Sequence, residues 1–132
     1  MDTSPLVMEE VDAGTEFLER LHAYRPVKAA CWLRVAEDEE RYLYVALGGL
    51  TEENSDVAYD EVLRITGEMN GHYIDPFRVK LIPPTDRVAD ATIDIYKRFP
   101  GRIPTRFNGR VFAGMAVAEA YIYPPLTPVP TA

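Results

Sequence analysis

Residues that carry chemistry are scarce in this sequence. It has one cysteine, Cys31, and two histidines, His22 and His72. A single thiol forms no internal disulfide, so a reducing cytoplasm is the expected setting. No H-x-x-x-H, H-E-x-x-H or C-x-x-C spacing occurs, which removes the usual metal-ligand patterns. Phosphate-cradling loops are missing as well. Gly48-Gly49 runs into Leu50-Thr51 and fits neither the P-loop nor the dinucleotide-binding glycine pattern. No apolar run approaches the ~20 residues that cross a bilayer, and the acidic opening MDTSPLVMEEVD lacks the basic-then-apolar order of a leader. No cofactor, metal site or membrane contact is therefore expected.

What is present describes an ordinary soluble domain. Of 132 residues, 47% are hydrophobic and 27% charged, enough for one core. We read residues 1–123 as a single domain and 124–132, which contain PPLTPVPTA from Pro124, as an extended Pro-rich tail. Charge is divided unevenly. Met1 to Asp75 holds 6 basic and 17 acidic residues, a balance of −11, and Pro76 to Ala132 holds 8 and 4, a balance of +4. The two halves either compensate each other or leave one face that attracts anions.

Periodicity supplies the elements. Asp12 is placed to cap a helix from Ala13 to about Tyr24, with Phe17, Leu18, Leu21 and Tyr24 as its apolar stripe. Pro26 ends it. Val27 to Val35 alternates, and Arg41 to Leu47 returns after the acidic run AEDEE, so the two should pair antiparallel. That alternation puts Cys31 and Leu33 on the core face with Leu43 and Val45. It leaves Trp32, Tyr42 and Tyr44 on the open face. A second helix should start at Asn54 or Ser55, bury Ala58, Val62, Ile65 and Met69, and stop at Asn70-Gly71. Phe77 to Ile82 reads as a strand with Phe77, Val79 and Leu81 inward. Thr85 then opens a helix to Arg98, along Val88, Ala91, Ile95 and Phe99. Asn108-Gly109 sits between alternating segments, Arg102 to Phe107 and Arg110 to Tyr123, and carries the type I′ hairpin signal. Pro104 makes the first of these an edge strand. The order α-β-β-α-β-α-β-β predicts an α+β fold: a mainly antiparallel sheet of about five strands, with about three helices on one face.

Three segments resemble the C-terminal domain of enhanced serine sensitivity (SseB-like) bacterial proteins. They are FLERLHAYRPVKAACWLR from Phe17, RYLYVALGG from Arg41 and FRVKLIPPTDRVADATI from Phe77. The resemblance runs from Phe17 to about Phe107 and implies a small α+β module without an enzymatic activity. The Arg-rich hairpin and the Pro-rich tail lie outside it.

Candidate sites follow from what remains. Arg98, Arg102, Arg106 and Arg110 cluster with Lys97 and are interleaved with Phe107 and other aromatics, the composition of protein-interface hot spots and of single-stranded nucleic-acid grooves. The net charge of −7 weighs against the nucleic-acid reading. With Trp32, Tyr42 and Tyr44, these residues predict a surface that binds another protein or a second copy of the chain. Cys31, mid-strand and inward, reads as an inert buried thiol. His72, Tyr73 and Asp75 are the one group suited to proton transfer, and equally suited to closing a loop.

Overall fold

A computed structural model describes residues 8–35, 40–69, 74–98, 105–112 and 115–123. The order is α1 (Met8–Tyr24), β1 (Val27–Val35), β2 (Tyr42–Leu47), α2 (Ser55–Glu68), a 3-10 turn (Pro76–Arg78), β3 (Val79–Ile82), α3 (Arg87–Arg98), β4 (Thr105–Phe112) and β5 (Met115–Ile122). The fold is α+β. Among the described residues five strands lie in the order β3-β2-β1-β5-β4, with β2–β3 parallel and the other three pairings antiparallel. The parallel pair needs a crossover, and α2 provides it.

The helices cover both faces of the sheet rather than one. On one face α1 and α2 pack Phe17, Leu18, Leu21, Ala58, Val62 and Ile65 against Trp32, Leu43, Val45, Leu47, Val79 and Tyr121. On the other, Val88, Ala91 and Ile95 of α3 meet Cys31, Leu33, Ala120 and Ile122. The physical reason is topological. α3 leads from β3 at one edge to β4 at the opposite edge, and in crossing the sheet it covers the face that α1 and α2 leave free.

The same arrangement overturns the predicted open face. A bulge between Val27 and Ala29 inserts one residue into β1. Val27 keeps its core-facing position, but every residue after it changes face. Trp32 therefore lies opposite Leu43, 6% exposed under α1 and α2, while Cys31 and Leu33 lie opposite Tyr44 and Tyr42.

Three boundaries also differ. α1 begins by Met8, a full turn before Asp12, because Glu9 and Glu10 suit a helix N-terminus and Val11 and Ala13 are buried. Phe77 belongs to the 3-10 turn and is 84% exposed, with strand geometry starting at Val79. β4 runs straight through Asn108-Gly109 and pairs as far as Phe112 with Met115. A turn at Asn108 would set a long second strand against a six-residue partner. The observed register gives two strands of eight, and ladder pairing outweighs the local turn preference.

Candidate functional site

Of the three aromatic residues expected on an open surface, Trp32 is buried in the core. The Trp32 indole Nε1 donates to Tyr123 Oη at 2.8 Å, and Tyr123 Oη donates to the Val11 carbonyl at 2.9 Å. This chain ties β1, the end of β5 and the first turns of α1 together inside the core. Gly14 makes room for it, since a Cβ there would overlap the Tyr123 hydroxyl and lie 2.9 Å from Cζ. Burial pushes the Tyr123 phenol above its ordinary range, against a smaller downward pull from Trp32. Tyr42 and Tyr44 are half-buried on the α3 side, and Lys80 Nζ sits 4.4 and 5.5 Å from their ring centroids.

Among the described residues, Cys31, His22 and Asp75 are each engaged within the fold. Cys31 is fully buried, its thiol pushed up to about 12 by desolvation, with Thr92 Oγ1 3.6 Å from Sγ. His22 Nδ1 accepts the Val27 N–H at 3.0 Å, joining the end of α1 to β1. Asp75 caps the 3-10 turn: Oδ1 accepts the Phe77 N–H at 2.9 Å, and Oδ2 lies 3.8 Å from Arg78 Nε. His72 and Tyr73 lie outside the described residues. A cleft of about 330 Å³ is lined by Glu10, Trp32, Ile74, Asp75 and Arg78. Its charged groups pair with neighbours, Glu10 with Arg41 at 3.5 Å and Arg78 with Glu40 at 3.3 Å. Among the described residues no group of three His, Cys, Asp or Glu could hold a metal ion, and no helix is long and apolar enough to cross a membrane.

No protein-family model, curated protein or solved structure matches the chain. The functional reading therefore rests on the geometry.

Of the basic cluster, Arg98 ends α3, and Arg106, Phe107 and Arg110 fall on β4. Arg102 lies outside the described residues. Register sets Arg106 opposite Tyr121, Phe107 opposite Ala120 and Arg110 opposite Val117. Arg106 and Arg110 thus take positions of the same parity, and both belong to an edge strand.

The other edge is finished off by residues that sequence reading did not single out. On β3 the Leu81 N–H donates to Tyr59 Oη at 2.9 Å, and the Val79 N–H donates to the Pro76 carbonyl. Two successive outward amides are thereby occupied from within the chain. Tyr59 carried no recognisable signal, because its role depends on α2 crossing beside β3. Gly14 did carry one, an isolated glycine within a helical apolar stripe.

Proposed function

We propose that this chain is a non-enzymatic module that binds another protein, or a second copy of itself, along the β4 edge of its sheet. One observation supports this reading most: the contrast between the two edges. β3 is four residues long with its outward amides occupied, whereas β4 is an eight-residue strand at the end of the sheet order. An edge strand presents backbone donors and acceptors that a further strand can pair with. Helices cover both sheet faces, which favours the edge over the faces as the contact surface. The engaged states of Cys31, His22 and Asp75 support binding over turnover. The buried reduced thiol suits a cytoplasmic setting, and the SseB-like resemblance, with no enzymatic activity implied, agrees with the reading.

The test is site-specific photocrosslinking in cells, with the reactive group placed at Asn108 on β4 or at Lys80 on β3. A discrete adduct from the Asn108 position alone is the expected result. Equal labelling from both positions, or none from either, would overturn the proposal.

A further inference from the structure

The residues of β4 read TRFNGRVF, two arginines and no acid, in a chain of net charge −7. Elsewhere four arginines are matched to the chain's own carboxylates, Arg20 to Glu16, Arg41 to Glu10, Arg64 to Glu61 and Glu68, and Arg78 to Glu40 and Asp75, while Arg25 lies over the Tyr24 ring. The basic edge is thus set in an acidic molecule. Arg106 and Arg110 are four residues apart at same-parity positions, so the strand rise separates them by about 13 Å along one face of the sheet. A strand added antiparallel to β4 places its residues i and i+4 opposite these two arginines. Opposite charges directly across a ladder stabilise the pair, and like charges destabilise it.

Resting on the edge-binding reading above, we propose that the partner of β4 is an extended acidic segment of another protein, with carboxylates four residues apart. Charge argues against a second copy of β4 as the occupant. A twofold pairing centred on Asn108 would set Arg106 opposite Arg110 twice. Register sets Glu119 of β5 opposite Asn108, between the two arginines, so this strand pair holds two basic residues to one acid, and screening within about 8 Å at physiological ionic strength makes that local balance count for more than the acids farther away.

The probe is a labelled octapeptide of alternating Thr and Val with Glu at its second and sixth positions, titrated by fluorescence anisotropy against the full chain. Controls are the same peptide with Lys at those positions and one N-methylated at alternate amides. The Glu peptide should bind, and the other two should bind at least tenfold more weakly. The double variant Arg106→Glu/Arg110→Glu, checked for native circular dichroism, should lose the Glu peptide and gain the Lys peptide. Should that variant fail to fold, Arg106→Gln/Arg110→Gln should weaken the Glu peptide at least fivefold. Equal binding of Glu and Lys peptides would overturn the acidic partner. Undiminished binding of the N-methylated peptide would overturn strand addition. Concentration-dependent dimerisation abolished by the arginine variants would assign the edge to a second copy, and tighter binding of a dT oligonucleotide than of the Glu peptide would assign it to nucleic acid. An Asn108 crosslink to protein with no Glu-peptide binding would refute the acidic chemistry while leaving edge binding intact.

Discussion

The two faces of the sheet are held by different means. Under α1 and α2 the core is broad and includes a polar thread, Trp32 to Tyr123 to Val11, that fixes a helix terminus to two strands. Under α3 the core formed by the described residues is smaller, and there Thr92 meets Cys31. Thr92 also returns its hydroxyl to the Val88 carbonyl at 2.8 Å, within its own helix. Burial supplies most of the stabilisation on both faces, and directional bonds add to it unequally: two linked bonds under α1 and α2, and one hydroxyl–thiol contact between α3 and β1 among the described residues. The larger face should therefore set global stability, while α3 opens locally.

Truncation on each face tests this most directly. Phe17→Ala should cost about 4 kcal/mol of unfolding free energy and Val88→Ala about 2, as measured by urea denaturation. Equal costs would erase the distinction. Hydrogen exchange sharpens it: Val88→Ala should speed exchange in α3 while leaving that in α1 unchanged. Next, Tyr123→Phe should cost about 2 kcal/mol, since the buried Trp32 indole loses its acceptor. The Val11 carbonyl keeps Thr15 Oγ1 at 3.1 Å, which limits the loss to one orphaned group.

On the α3 side the sharper probe is pH. The folded thiol of Cys31 holds its proton to about pH 12, while the unfolded chain releases it near 9. Below pH 9 this group leaves stability unchanged. Between the two values the folded state binds more protons than the unfolded one. Stability therefore falls as pH rises, by at most ~1.4 kcal/mol per pH unit. Cys31→Ala should remove that slope, leaving the later downturn from Tyr123, whose phenol is raised in the same direction. An unaltered alkaline slope would show that Cys31 ionises freely in the fold. Smallest of all, Arg64→Ala removes an exposed ion-pair network on α2 and should leave the denaturation midpoint where it was.

The order of elements was legible because it depends on local period and on breakers. The buried stripe Ala58, Val62, Ile65 and Met69 and the strand pair Val27–Val35 with Tyr42–Leu47 follow from spacing alone. Three features were not legible, and each depends on partners distant in sequence. The bulge after Val27 reverses the faces of β1, so Trp32 was placed outside when it is inside. The Asn108-Gly109 signal was genuine but local, and the eight-residue ladder with β5 overrode it. Helices on both faces follow from where β4 lies, which no single segment specifies. Among the site residues, sequence drew attention to the arginines of β4 but could not show that the opposite edge is closed by Tyr59 and Pro76.

The central position of β1 has a consequence for synthesis. Its partner on one side, β2, is the next strand to emerge from the ribosome, but its partner on the other, β5, arrives roughly ninety residues later, as the span from Trp32 to Tyr123 measures. Until then α1, α2 and the first three strands form a half-built sheet with an unprotected apolar flank. Such late, long-range closure slows folding and leaves nascent chains in need of shielding. Trp32, the sole tryptophan, lies at that seam, so its fluorescence reports the moment the β4–β5 hairpin docks.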